Sequence, residues 1–351
     1  MKHIIETRHA VMAALLGGAI ALAVAGCAPA GDVGSTPTVP DVDSLGLPTT
    51  STASCDVGDK SMVYVSVLRE NPVLQAMAQG AIDGANAAGF GSAEWVAAQG
   101  FDEPGSANLG NQAIAEGVDG IVVFATSPAF YPMIAKAAEA GIPVIQAHSQ
   151  IPEGDAEGVL ANFYPDPVAY GEAAARALGD KLAEDGVVGS IAITQSALIP
   201  NENAASTAFA NVIETEYPDL TTLEPQAVGG DPTKAIAQQT SIAQANSDLV
   251  GAFDTSGNGP LTWSTTQRDT GTAIVIISMD YTKANLDLVA DGEVYAIVAQ
   301  PLYEEHYLSS MALAEALCGD PLEYDNPLEA PIVRADGLQQ YYDLLAKVNI
   351  K

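Results

Sequence analysis

Residues 111–147 read NQAIAEGVDGIVVFATSPAFYPMIAKAAEAGIPVIQA. They contain two short apolar runs, Gly120–Phe124 and Pro143–Ala147. Runs of this length, apolar on both faces, fit parallel strands covered by helices on either side. Between them, Ser127-Pro128 places a capping side chain before a proline. A serine hydroxyl accepts from the free N–H groups at a helix start, and proline fits the first turn because its missing N–H has no partner there anyway. Strand, cap, helix, strand is the βα rhythm of a doubly wound fold.

Working outward, the same device recurs at Asn71-Pro72, Asp166-Pro167 and Asp231-Pro232. Further strand candidates are Met62–Leu68, Glu94–Ala98, Val159–Ala161, Gly189–Thr194, Leu223–Val228, Leu249–Phe253, Ala273–Ser278 and Tyr295–Ala299. Helical spacing shows best in Val73–Ala88, where Leu74, Met77, Ala81, Ile82 and Ala85 share one face. One open sheet of all these strands would be overlarge, so two sheets of about five or six are expected.

Composition bounds the function. The 351-residue chain carries 13 basic and 44 acidic side chains, a net charge of −31. Nucleic acid is excluded as a partner, because phosphate backbones are held by clustered Lys and Arg. Electrostatic adsorption to anionic lipid is disfavoured for the same reason. Hydrophobic residues at 48% are enough for a core, which excludes wholesale disorder. Three cysteines and four histidines, two of these in the first nine residues, leave no basis for a metal site or a cysteine scaffold, and no cofactor is expected.

Residues 1–26 hold Lys2 and Arg8, then an apolar run ending Val24-Ala25-Gly26-Cys27. This is the layout of a secretory signal, too short for a membrane span. Its ending resembles the bacterial lipoprotein cleavage motif, which implies that Cys27 becomes a lipidated N-terminus. Residues 28–54 hold four prolines and many Ser and Thr, a composition that reads as a flexible tether with a reach of ~26–31 Å. The expected location is extracytoplasmic, with the membrane touched only through the lipid.

Three stretches carry a wider resemblance. Residues 62–90 (MVYVSVLRENPVLQAMAQGAIDGANAAGF), 111–147 and 274–300 (IVIISMDYTKANLDLVADGEVYAIVAQ) resemble, in that order, segments of the ribose- and galactose-like sugar-binding proteins that serve ABC importers. The resemblance spans about 57–345. It implies an α/β fold of two Rossmann-like lobes with parallel sheets and a three-segment hinge, the type I periplasmic binding protein fold. Lobe one would be 57–162 plus 299–332, and lobe two 163–298 plus 333–351. It further implies a monomer that captures a small polar solute, a sugar or polyol, between the lobes and presents it to a permease. Ligand sites in open α/β sheets lie beyond the carboxyl ends of the strands.

Sugar hydroxyls donate and accept together, which suits Asp, Asn and Gln. By the resemblance, Asp280 takes the place of a ligand-binding aspartate and Gln300 that of a contacting glutamine. Taken alone, Asp280 would serve as well to cap a helix over Thr282–Ala290. Asn71 matches a family asparagine and is equally a good helix cap. In Asp254-Thr255-Ser256-Gly257-Asn258-Gly259-Pro260 the family's Asn-Asp pair maps ambiguously: ungapped spacing puts Ser256 at the asparagine, the local Asn-Gly-Pro suggests Asn258, and Asp254 and Asn258 are kept as candidates. Asn203 falls near a family arginine, and His148 stands where the family often has Asp-Arg.

The family's aromatic residues after the first Asn-Pro are Val73 and Leu74 here, so Phe163, Tyr164, Phe124 or Trp263 would have to supply an apolar sugar face. Arg69 has two readings, an anion contact at the cleft or a salt bridge to Glu70 or another acid. The family topology also places Cys55 and Cys318 in one lobe, which implies a disulfide between them. An enzyme is not expected. Asp254-Thr255-Ser256-Gly257 and Asp269-Thr270-Gly271 superficially match aspartic-protease signatures, but they lie 15 residues apart in an α/β context, and common hydrolase and nucleotide-loop motifs are missing. The runner-up is a lipoprotein sensor of a small signal molecule or nucleoside that docks on a receptor, with a hydrolase more remote.

Overall fold

The computed structural model describes residues 45–196 and 200–347; Cys27 and the leader lie outside them. From Ser61 strand and helix alternate. The first part comprises β1 (Ser61–Ser66), α1 (Pro72–Ala88), β2 (Ser92–Ala97), α2 (Glu103–Glu116), β3 (Gly120–Val123), α3 (Tyr131–Glu139), β4 (Val144–Ala147) and β5 (Val159–Pro165). There follow α4 (Pro167–Glu184), β6 (Gly189–Gln195), α5 (Pro200–Glu216), β7 (Leu220–Thr222), β8 (Gln226–Ala227), α6 (Pro232–Ala245), β9 (Leu249–Asp254), α7 (Gly259–Thr270), β10 (Val275–Met279), α8 (Lys283–Ala290) and β11 (Ala296–Val298). Last come α9 (Leu302–Cys318), β12 (Asp325–Leu328), β13 (Ile332–Val333) and α10 (Gln339–Lys347).

The strands form two sheets. The first runs β12-β5-β4-β3-β1-β2, parallel throughout. The second runs β13-β11-β10-β9-β6-β7, with β8 also on β6 and only β13 antiparallel. In each sheet the winding reverses next to the first strand of the lobe, at β1/β3 and at β6/β9. Such switch points open a crevice beyond the strands' carboxyl ends. The chain crosses between sheets at 166, at 299–301 and at 329–331. These crossings run side by side: Ala299 N–H donates to the Pro331 carbonyl (2.8 Å), and Asp166 N–H to that of Leu328 (3.4 Å).

The cap-proline pairs behave as their chemistry requires. Asn71 accepts from Val73 N–H, Asp166 from Val168 and Ala169, and Asp231 from Thr233 and Lys234. Ser127 accepts from Ala129 and opens a 3₁₀ turn that runs into α3. On α1, Ile82 is only half-buried, and Asp83 takes the inner face, accepting from Tyr303 Oη (2.9 Å). Gly80 and Gly84 lie one turn apart on α1, where any Cβ would collide with the backbone of Tyr303 and Tyr307 on α9. Their bareness lets the two helices pack almost backbone to backbone.

Three expectations need correction. Within Leu223–Val228 only Gln226–Ala227 (β8) is strand; β7 ends before it at Thr222, and Pro225, which has no N–H for a ladder, stands between the two. β12 and β13 were not anticipated; β12 contains Pro327, tolerable because this strand sits at the sheet edge. The tether expected over 28–54 does not extend as free chain over 45–54. Leu47 is buried in the hydrophobic core, Pro48 O accepts from Tyr307 Oη (2.8 Å), and Ser54 N–H donates to Asp320 (2.7 Å). Cys55 and Cys318 form a disulfide with Cα atoms 5.4 Å apart, stapling this segment to the end of α9.

Candidate functional site

A cavity of about 670 Å³ lies where the carboxyl ends of both sheets meet. The first lobe lines it with residues after β1 (Val67, Leu68, Asn71), β3 (Phe124, Thr126) and β4 (His148), plus Phe101 before α2. Opposite them stand Ser196 after β6, Asn201 and Glu202 on α5, Thr255, Ser256 and Asn258 after β9, and Asp280 after β10. Gln300, on a crossing, closes the ring.

Two of these residues carry unusual backbone. His148 (φ 70°) and Asp280 (φ 71°) are the non-glycine residues with left-handed φ among the described ones, and each directly follows a strand. Asp and His tolerate this region better than most side chains, but it costs some free energy, a cost commonly met at binding sites. At Asp280 the conformation is fixed by Asp280 N–H donating to Val298 O (2.9 Å) and by Asn285 Nδ2 donating to the Asp280 carbonyl (3.0 Å). Gly257, without a Cβ, leaves room beside the carboxylate. Thr282, not Asp280, caps α8. Asp280 is therefore free of the capping role that its position suggested.

The Asp280 side chain takes no hydrogen bond from the protein, and its Oδ1 is buried without a partner. Burial pushes this carboxyl up to about 7, with His148 drawing it partly back. His148 Nδ1 lies 2.6 Å from Glu305 Oε1, and its ring meets Phe124 edge-on. Burial alone would lower the imidazole, but the charge and hydrogen bond of Glu305, helped by Asp280 and Glu202, raise it. Behind it, His306 Nδ1 donates to Leu302 O (2.8 Å), which leaves Nε2 to accept from Tyr64 Oη (3.0 Å). His306 is accordingly neutral, lowered by burial and by His148.

The other expected residues divide. Asn71 lines the cavity while capping α1, so both of its readings hold at once. Asn258 lines it and donates to Gly230 O (3.2 Å). Asp254 does not reach the cavity. It is fully buried behind it and accepts from Thr194 Oγ1 (2.5 Å), Ser256 N (2.8 Å), Ser256 Oγ (2.7 Å) and Gln239 Nε2 (3.2 Å). Its work is to hold the Thr255–Asn258 loop in place. Asn203 also misses the cavity: it is exposed on α5, accepting from Gln195 Nε2 (3.2 Å). A helix turns a side chain by about 100° per residue, and the neighbouring Glu202 faces inward instead. Glu202 accepts from Ser196 N–H (2.9 Å) and Thr255 Oγ1 (3.2 Å).

Of the aromatic candidates, Phe124 lines the cavity, whereas Trp263 is wholly buried and donates to Thr194 Oγ1 (2.8 Å), and Phe163 and Tyr164 stay outside it. Phe101 and Tyr170 take their place. Phe101 is 68% exposed, an apolar ring left in solvent within a Gly-Phe-Asp loop, and that was the available signal. Arg69 does not line the cavity and, among the described residues, makes no ion pair: its guanidinium lies 5.0 Å over the Trp95 ring and donates to Trp95 O. No group of three or more His, Cys, Asp or Glu among the described residues could hold a metal ion.

Residues 62–321 match the periplasmic binding protein domain family. The chain belongs to the periplasmic binding protein family. Solved members share its architecture. A sugar-binding protein of a sugar ABC transporter from Bacillus halodurans is 24% identical, with a TM-score of 0.73 over 81% of this chain and 100% of that one. A solute-binding protein from Burkholderia graminis in complex with D-arabinose is 21% identical (TM-score 0.74, 82% and 99% covered). One from Actinobacillus succinogenes with bound D-allose is 19% identical (TM-score 0.73, 81% and 100%). At such identities the likeness establishes the two-lobed fold; the lining of the cleft belongs to this chain.

Proposed function

We propose that this periplasmic binding protein captures a small polyhydroxylated solute, a sugar or polyol, between its lobes outside the cytoplasm and presents it to an ABC importer. The observation that carries the reading is the unpartnered Asp280 carboxylate in a cavity lined from both sheets. A buried acceptor without a donor costs about 1–3 kcal/mol, and a ligand that brings O–H groups recovers it. Gln300, Asn71 and Asn258 add amides able to donate and accept around a ring of hydroxyls. Phe101, Phe124 and Tyr170 offer apolar surface for the C–H faces of such a solute. D-arabinose and D-allose in structurally similar proteins support this choice of class.

Because residues from both lobes line one cavity in one chain, a monomer suffices. Chain crossings packed side by side suit closure by hinge motion. Lipidation at Cys27 would hold the protein at the membrane surface, and among the described residues no helix is long and apolar enough to cross a bilayer. The test is a thermal-shift screen of solute-free protein against pentoses, hexoses and polyols. A stabilising sugar that loses its effect in Asp280→Ala and Gln300→Ala supports the reading. Stabilisation that survives both substitutions contradicts it.

A further inference from the structure

The cleft has a one-sided charge. Three carboxylates line it, Glu202, Asp231 and Asp280, and among the described residues no lysine or arginine does. The single basic side chain there, His148, is engaged from behind by Glu305 at 2.6 Å, so that pair brings no net positive charge to the cavity. Asp231 is occupied in capping α6 with Thr233 N–H (2.9 Å) and Lys234 N–H (3.1 Å), and Glu202 accepts from the Ser196 and Thr255 donors. Asp280 differs from both. The residue is only 4% exposed, its Oδ1 has no partner, and a fixed left-handed backbone holds it at the cavity wall.

We infer that the solute carries a protonated amine beside its hydroxyls, an amino sugar or aminated polyol whose ammonium group sits on Asp280 in the space beside Gly257. The inference rests on the cleft being the solute site. A neutral sugar satisfies the hydrogen bonds of Asp280 but brings no counter-charge, so when the lobes shut the carboxyl must either stay charged at a cost or take up a proton. Taking an uncompensated carboxylate out of water is expensive. An ammonium group supplies three donors and the missing charge together, and bonds between ionised partners are about twice as strong as neutral ones. A carboxylated or phosphorylated sugar would add negative charge to Glu202 and Asp280 and be rejected.

The experiment is isothermal titration of the solute-free protein at pH 7 with matched triplets on the glucose, galactose and mannose scaffolds: neutral sugar, 2-amino sugar and uronate. The expected result is an amine bound roughly tenfold or more tighter than its neutral counterpart, with no heat from the uronate. In Asp280→Asn the amine and the neutral sugar should converge to within about threefold, since the amide keeps the shape and drops the charge. A neutral sugar bound as tightly as its amine, or a uronate that binds, overturns the inference and leaves sugar capture standing. Binding by none of the nine overturns the inference, while the sugar or polyol reading stands or falls by its own screen of pentoses, hexoses and polyols.

Discussion

Replacing Asp280 by asparagine should make the solute-free protein more stable at pH 8 while weakening capture. Burial lifts the carboxyl from its ordinary 3.8 to about 7, against the pull of His148. Since the folded value lies above the unfolded one, the folded chain keeps a proton that the unfolded chain has released. Stability is therefore intact below about 4 and is lost as pH rises through about 7. At ~1.4 kcal/mol per tenfold, the ionised group costs roughly 4 kcal/mol at pH 8. Asparagine removes the charge but leaves a buried amide short of partners, at about 1–3 kcal/mol. The net gain is about 1–3 kcal/mol, a rise of roughly 2–10 °C in Tm for lobes of this size. At pH 4.5 the parent carries its proton, and the advantage should vanish or reverse. Calorimetric melting of both proteins at the two pH values reads the difference, which includes the response of Glu305 and His148 to the lost charge. A variant less stable than the parent by the same margin at both pH values would refute the desolvated charge.

Replacing both cysteines, in Cys55→Ser/Cys318→Ser, opens a loop of 263 residues and should lower stability by about 3–5 kcal/mol in urea titrations, mostly through unfolded-chain entropy. A loss under about 1 kcal/mol would contradict a closed staple in the native protein. Gly84→Ala forces a methyl group against the Tyr307 backbone and should cost about 1–3 kcal/mol; an unchanged melting curve would mean that α1 and α9 do not approach so closely.

What the sequence revealed and what it hid follow from how local each signal is. Ser127-Pro128 and Asp166-Pro167 mark helix starts because a cap and a fixed φ act within two or three residues. The apolar runs of β3 and β4 mark a buried parallel sheet for the same reason. β12 escaped because its partner β5 lies 163 residues earlier, with Asp325 opposite Asn162, and Pro327 argues locally against a strand. In the site, Asp280, Gln300 and His148, which the family resemblance singled out, each follow an apolar run and line the cavity. Asp254 ends a strand too, yet it turns inward to four donors that no pattern announces. Asn203 and Glu202 differ by one residue, and only the rotational setting of α5 decides which enters the cleft. Phe101 and Tyr170 come from a loop and a helix of different lobes, so their meeting is purely tertiary. The segment at 45–54 looked like tether by composition; Leu47, the apolar residue that docks it, counts for little in an average over polar neighbours.

The most direct measurement is a crystal structure of the protein with its bound solute. One polyhydroxylated molecule should be enclosed between the two sheets, donating to Asp280 and bonded to Gln300, with the lobes closed over it. A solute bound away from the cleft, or one in the cleft while Asp280 faces solvent, would contradict this.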